Sequence, residues 1–191
     1  RFGTGDETRG WGPPFDPHGE SAYFLSVNRN KLSLAADLDS DADRVLLERL
    51  IGDADVVVEN FRPGTLERRG LGPAAMLLKH PRLLWCTITG FGLSSPRPGY
   101  DFVVQALSGL MAITGEPDGR PMKVGVALTD VLTGLYAAVS VLAALTERMR
   151  NAECRMQNAE SAKPAAASDI PHSPFCTPHF RHLDLSLLDC T

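Results

Sequence analysis

The chain has 191 residues, of which 43% are hydrophobic and 22% are charged, a length and composition typical of a soluble globular protein with one sizeable core. With 19 basic and 23 acidic residues the net charge is −4, which argues against a polyanion such as nucleic acid as a partner. The apolar run Ala137–Leu145 is too short to cross a bilayer, so the sequence predicts no membrane segment.

Strand-like and helix-like segments alternate along most of the chain. The first segments, Ala22–Val27 and Lys31–Leu38, have the composition of extended chain. The predicted strands are Asp55–Glu59, Leu83–Thr89 and Leu183–Leu187. The predicted helices are Val45–Ile51, Thr65–Arg69, Pro73–His80, Tyr100–Ile113 and a long one from about Asp130 to Arg150. This alternation predicts an α/β fold with a largely parallel sheet.

The composition changes after residue 150. Residues 151–181 are rich in Ala, Ser, Pro and Asn and have no hydrophobic period, which predicts a low-complexity insertion or linker. We therefore expect one domain segment over residues 1–150, with residues 182–191 returning to it as a strand. The insertion contains His172, Cys176 and His179, followed by His182, but their spacing fits no standard metal site, so no metal is predicted.

The cysteines and the chain ends give two further expectations. Four cysteines without a C-x-x-C spacing indicate free thiols in a reducing compartment, and hence a cytoplasmic protein. The chain begins with Arg1 rather than Met and stops at Thr191, directly after a strand-like run. We expect it to be a fragment of a longer protein.

Asp130 is an isolated carboxylate between small and apolar residues, and the run Val131–Leu145 that follows it carries no charge. A carboxylate at the start of an apolar helix caps that helix, pairs with another group or takes part in chemistry. Position alone favours the cap, formed by Thr129 or Asp130.

Three groups of segments, in this order and spacing, carry a family resemblance. They are Gly5–Phe15 with Ser26–Leu34; Val58–Leu66 with Arg68 and Gly70; and Gly99–Asp101, Ser108–Leu110 and Thr114–Gly115 with the stretch around Asp130. Together they resemble the class III CoA-transferase family, of the CaiB/BaiF type, over Arg1–Arg148 and again at Leu183–Cys190. The resemblance implies part of that family's large domain, an α/β Rossmann-like fold whose largely parallel sheet has flanking helices.

The resemblance also implies a function for Asp130. It matches the family's catalytic aspartate, which attacks an acyl-CoA thioester and carries a covalent aspartyl intermediate. The implied reaction moves CoA from an acyl-CoA donor to a free carboxylic acid, here a dicarboxylic acid, and the helix N-terminus would keep Asp130 ionised. CoA and acyl-CoA are then substrates, no cofactor is bound permanently, and the implied assembly is an interlocked homodimer.

The turn after the strand Asp55–Glu59 is the expected CoA site, because ligands of α/β sheets bind beyond the carboxyl ends of the strands. By resemblance, the residues that bind CoA are Arg1, Asn60, Phe61, Arg62 and Arg68. Arginine suits phosphate, and phenylalanine suits adenine or the pantetheine arm. The alternative is a sharp turn in which Pro63 and Gly64 only change the direction of the chain.

Two other functions stay open. Racemases of the same fold, which act on α-methylacyl-CoA, carry a histidine where this chain has Tyr100, and a phenol cannot replace imidazole as the acid–base partner near neutral pH. Tyr100 therefore favours the transferase, although it could simply be a packing residue. An inactive CoA-binding fragment is the non-enzymatic alternative, because the chain lacks the smaller domain and glycine-rich loop of full-length relatives.

Overall fold

The computed structural model describes residue 3, residues 5–161 and residues 181–191. The chain divides into two compact units, Arg1–Arg49 and Leu50–Thr191. Arg1 and residues 162–180, and with them His172, Cys176 and His179, lie outside the described residues.

The first unit contains a short helix where the sequence predicted extended chain. After a 3₁₀ helix at Glu7–Gly10, helix α1 spans Ala22–Val27. The buried Ser21 caps it, because its hydroxyl accepts the Phe24 N–H at 3.3 Å. The prediction of extended chain at Ala22–Val27 was therefore wrong, since this cap outweighs the strand propensity of the segment. Lys31–Leu38 likewise forms no strand.

Three parallel strands form the sheet of the second unit. They are β1 (Val56–Glu59), β2 (Leu84–Thr89) and β3 (His182–Ser186), in the order β1-β2-β3. Val56 lies opposite Leu84, and Trp85 lies opposite His182. The parallel pairing and flanking helices confirm the predicted α/β fold, and all three strands lie within a residue or two of their predicted limits.

The core is built around the central strand. β2 is buried at every position except Ile88, as expected for a strand covered on both faces. Met76, Leu83, Trp85 and Val104 are the largest wholly buried apolar side chains. Helices α3 (Pro73–Lys79), α4 (Asp101–Leu107) and α5 (Leu128–Ser161) belong to this unit, with 3₁₀ helices at Glu67–Arg69 and Leu110–Ala112. Helix α2 (Asp41–Asp53) begins in the first unit and ends in the second.

Helix α4 is shorter than the apolar pattern predicted. It ends at Leu107, and the chain resumes as a 3₁₀ helix at Leu110. Between them Gly109 has a φ of 86°, a left-handed conformation that stops an α-helix and that glycine adopts at little cost. A continuous helix over Tyr100–Ile113 is therefore not formed.

Helix α5 is longer than predicted and continues past Arg150 to Ser161. The first part of the expected insertion, residues 151–161, is thus helical, because its alanines and its long polar side chains favour a helix even without an apolar period. At the other end of the expected insertion, Arg181 is anchored beside α3, where Nη1 donates to the Leu77 carbonyl at 2.7 Å.

Helix α5 also has an exposed apolar face. Val131, Leu135, Val139 and Leu142 are each more than half exposed. Over Leu128–Glu153 the helix has the length and the mean hydropathy, 1.7, of a membrane span, contrary to the prediction from uninterrupted apolar runs. The core helix of a soluble protein meets the same criteria of length and composition.

Candidate active site

A cavity of about 680 Å³ lies at the carboxyl edge of the sheet. Its walls are the chain that follows each strand, the loop before α4 and the first turns of α5. The lining residues are Val58–Pro63, Ile88–Gly90, Arg97–Asp101, Asp130, Thr133, Gly134 and Leu187. Parallel strands bring their carboxyl ends to one edge, which is why segments distant in sequence meet here.

The turn after β1 forms one wall. The Thr65 N–H donates to the Arg62 carbonyl at 3.0 Å, and Gly64, at the third turn position, has a φ of 82°. A turn with Pro63 second and Gly64 third needs this conformation. Asn60, Phe61 and Arg62 line the cavity. The segment is thus both a sharp turn and a wall of the cavity, so the two readings of the sequence are compatible.

Asp130 faces this cavity from the first turn of α5. The backbone N–H groups of Thr129 and Asp130 donate to Oδ2 of Asp101, at 2.7 and 3.2 Å. Among the described residues, no group donates a hydrogen bond to the Asp130 carboxylate. The cap suggested by position alone is therefore supplied by Asp101, and the oxygens of Asp130 stay available in the cavity.

The pKa of Asp130 is raised above the ordinary aspartate value of 3.8. Burial contributes most, because it penalises the charged form, and the charge of Asp101 adds to the effect. The direction is opposite to the one expected from the positive end of the helix alone. A more basic carboxylate is a better nucleophile, so the shift suits an attacking group.

Two arginines bring positive charge to the same cavity. Arg62 and Arg97 line it, and the guanidinium of Arg97 lies 4.8 Å from the centre of the Phe91 ring. In the described part of the chain, neither arginine forms an ion pair with a carboxylate. Each can therefore meet an anionic ligand.

The structure brings together most of the residues predicted for the site. Asn60, Phe61, Arg62 and Asp130 line one cavity. Arg68 does not line it, and lies in the 3₁₀ helix after the turn, where its Nη1 is close to Gly64. Tyr100 lines the cavity and is 68% exposed, so it is not a core packing residue. His182, from the histidine-rich stretch, instead places Nε2 3.0 Å from the Thr87 hydroxyl on β2.

Several lining residues were not singled out from the sequence, and four of them carry polar groups or lie close to Asp130. They are Arg97, Asp101, Thr133 and Gly134. Asp101 belongs to the segment Gly99–Asp101 of the family resemblance, but its partners on α5 are 28 and 29 residues away. Asp101 can be identified as a site residue only when the packing of α4 against α5 is known. Gly134 follows Asp130 by four residues and so lies on the same helix face, a relation the sequence does contain.

Sequence comparison relates the chain to a family of known chemistry. Residues 1–167 match the family model described as CoA-transferase family III. A succinate–glutarate CoA-transferase of Agrobacterium fabrum is 46% identical, over 78% of this chain and 39% of its own length. The mouse succinyl-CoA:glutarate CoA-transferase is also 46% identical, over 78% of this chain and 35% of its own length. The chain thus spans about two fifths of these relatives.

Structural comparison gives the same relationship. A crystal structure of a CaiB/BaiF family protein from Brucella suis superposes with a TM-score of 0.77 at 39% identity, covering 97% of this chain and 44% of that one. The family model matches far more than half of the 191 residues, and the expected α/β fold is present. The chain belongs to CoA-transferase family III.

Proposed function

We propose that this chain carries the acyl-transfer site of a CoA-transferase and that Asp130 is its nucleophile. The main support is the placement of Asp130, a carboxylate with a raised pKa that faces a cavity at the carboxyl edge of a parallel sheet and accepts no hydrogen bond from the described residues. Membership of CoA-transferase family III gives the chemistry. The geometry thus supports Asp130 as the reacting group, and the family supports transfer of CoA as the reaction.

The proposed reaction proceeds through acyl exchange on Asp130. A carboxylate oxygen of Asp130 attacks the thioester carbonyl of the donor, and the C–S bond breaks. CoA leaves as a thiolate, and the donor acyl group stays on Asp130 as a mixed anhydride. The thiolate then attacks the aspartyl carbonyl of that anhydride, so the donor acid is released and an aspartyl-CoA thioester remains. The acceptor carboxylate repeats the two steps in reverse and leaves as the new acyl-CoA. No ATP is consumed, because the acyl bond stays activated throughout.

A dicarboxylic acid is the proposed acceptor. The two relatives described above are named for succinate and glutarate, both dicarboxylic acids. The cavity offers Arg62 and Arg97 without a carboxylate partner among the described residues. One arginine could bind the distal carboxylate while the other carboxylate reacts at Asp130.

The nucleophile is tested by trapping the intermediate. The protein is incubated with succinyl-CoA, quenched with hydroxylamine and mapped by mass spectrometry, and the modification is expected on Asp130. Asp130→Asn is the matched control, because it keeps the shape of the side chain but cannot form an anhydride. We expect it to bind CoA and to lose transfer. Transfer at near-normal rate by this variant would contradict the proposal, whereas CoA binding without transfer by the wild type would favour an inactive CoA-binding fragment.

A racemase makes a different prediction for the same site. Racemisation needs exchange of the α-proton of the acyl group. Tyr100 lines the cavity, and the family resemblance puts it where racemases carry the histidine that moves that proton. We therefore expect no deuterium uptake at the α-carbon of an α-methylacyl-CoA in deuterated water. Uptake that disappears in Asp130→Asn would favour the racemase.

We also propose a homodimer, which the exposed apolar face of α5 supports. Association through this face would remove a large apolar patch from water. Negative charges introduced on the face should therefore weaken self-association. Leu135→Glu and Val139→Glu are compared with the wild type by analytical ultracentrifugation. Unchanged mass for all three proteins would argue against association through α5.

A further inference from the structure

Asp101 is a buried carboxylate at the start of α4, with 6% of its surface exposed. A buried carboxylate needs compensating hydrogen bonds or a cation. In the part of the chain that the structure describes, no basic side chain pairs with it. Its partners are instead the first backbone N–H groups of α5, which no carbonyl within that helix can satisfy.

One oxygen of Asp101 holds the first turn of α5 at three points. Oδ2 accepts the Thr129 N–H at 2.7 Å, the Thr129 hydroxyl at 2.7 Å and the Asp130 N–H at 3.2 Å. Thr129 itself is wholly buried, so its hydroxyl has no access to water. The backbone of Asp130 is therefore tied to a side chain on another helix.

Gln105 fixes the other oxygen of Asp101. Its Nε2 donates to Asp101 Oδ1 at 2.5 Å and to the Val126 carbonyl at 3.2 Å, while its Oε1 accepts the Val124 N–H at 2.9 Å. If the Gln105 amide were rotated by half a turn, its oxygen would face the oxygens of Asp101 and Val126, and its NH₂ group would face the Val124 N–H. These partners therefore define the orientation of the amide. Because Gln105 is also wholly buried, water does not compete for these hydrogen bonds, which hold Asp101 in its observed orientation.

We propose that Asp101 is the positioning residue of the nucleophile: by capping α5 from α4 it orients the backbone of Asp130 and leaves both oxygens of Asp130 for the acyl group. This inference rests on the proposed role of Asp130. An aspartate that capped its own helix would engage one oxygen with backbone N–H groups and would be a poorer nucleophile. The charge of Asp101 also contributes to the raised pKa of Asp130, which makes Asp130 more basic.

The test compares three variants with the wild type. Asp101→Ala removes the cap, and Asp101→Asn keeps one oxygen for the N–H groups of α5 but turns an amide N–H toward Gln105. Val104→Ala is the control, since it trims a wholly buried side chain on the same helix and leaves the cap intact. For each protein we measure the rate of Asp130 acylation by succinyl-CoA, the affinity for CoA and the midpoint of thermal unfolding.

We expect Asp101→Ala to slow acylation about 100-fold with little change in CoA affinity, because a small misplacement of the nucleophile costs rate rather than binding. Asp101→Asn should recover part of the rate. Val104→Ala should keep the wild-type rate despite a lower unfolding midpoint, so a loss caused by stability alone is distinguishable. If Asp101→Ala does not fold, Asp101→Asn is compared with Val104→Ala, and the proposal requires the slower acylation in Asp101→Asn.

Two results would overturn the inference in different ways. Acylation at the wild-type rate in both Asp101 variants, with Asp130 modified, would show that Asp101 only stabilises the fold while leaving the nucleophile assignment intact. An absence of any adduct at Asp130 in the wild type would remove the nucleophile assignment, and the positioning role with it.

Discussion

Gly90 and Gly99 pack backbone against backbone at the wall of the cavity. A Cβ placed on either glycine would overlap the Cα of the other. Gly90 directly follows β2, and Gly99 precedes α4 by two residues. The contact therefore holds the loop that carries Tyr100 and Asp101 against the end of the central strand, and only glycine permits so close an approach.

Gly99→Ala tests this contact. The added methyl group must displace backbone rather than a flexible side chain, so we expect a loss of about 1–3 kcal/mol in the free energy of unfolding. Because the loop would move, the affinity for CoA should also fall. Gly125→Ala is the control, since a Cβ there meets nothing within 4 Å. Equal stability of the two variants, measured by urea unfolding, would show that the loop can separate from the strand at no cost.

The sequence predicted the sheet and its edge well because those signals are local. Continuous apolar and β-branched residues identified β1 and β2. In the structure the parallel arrangement brings the turn of Asn60–Arg62 to the same cavity as Asp130. The end of α4 was missed because one glycine in a left-handed conformation outweighs an apolar pattern. The cap of α5 by Asp101 was missed because it depends on how two helices pack, which no local pattern contains.

Gly134 lies one helical turn after Asp130 and lines the cavity. A glycine inside a helix lowers stability, and a Cβ at this position would meet nothing within 4 Å. Gly134→Ala should therefore raise the free energy of unfolding by about 0.5–1 kcal/mol. It should also weaken binding of the acyl-CoA, because the methyl group would project beside the nucleophile.

The control for Gly134→Ala is Ser140→Ala on the same helix. It also raises helix propensity, and residue 140 does not line the cavity. The expected result is increased stability in both variants, by chemical unfolding, with a higher KM for acyl-CoA only in Gly134→Ala. Unchanged KM in both would mean that the acyl group does not approach this face of α5.

Substitution of Arg68 tests whether this side chain binds the phosphates of CoA or supports the turn. The structure places it outside the cavity wall, with its guanidinium near Gly64. If it binds the nucleotide phosphates, Arg68→Ala should weaken CoA binding roughly tenfold and leave pantetheine binding unchanged. Arg69→Ala is the comparison, since Nη1 of Arg69 donates to the Thr65 carbonyl at 3.0 Å and so supports the turn. Equal losses of affinity for CoA and for pantetheine, measured by calorimetric titration, would show that Arg68 supports the turn, as Arg69 does.

Asp130→Asn should make the folded state more stable at neutral pH. The pKa of Asp130 is raised in the folded state, chiefly by burial and then by Asp101, so ionisation costs the fold some of its stability. As the pH rises from 3.8 through the folded pKa, the unfolded chain binds fewer protons than the folded one, and the stability of the wild type falls. Asparagine does not titrate and avoids that loss.

The measurement is the difference in unfolding free energy between wild type and Asp130→Asn as a function of pH. Subtraction cancels the other titrating groups, since they are common to both proteins. We expect the variant to be more stable at pH 7 by less than about 1 kcal/mol, because solvent in the cavity screens the charge. The pH-dependent part of the difference should disappear as the pH falls well below 3.8, because Asp130 is then protonated in both states. A variant less stable than the wild type at pH 7 would mean that the Asp130 carboxylate stabilises the start of the helix, as a cap would. The assignment of Asp101 as the cap and Asp130 as the nucleophile would then be wrong.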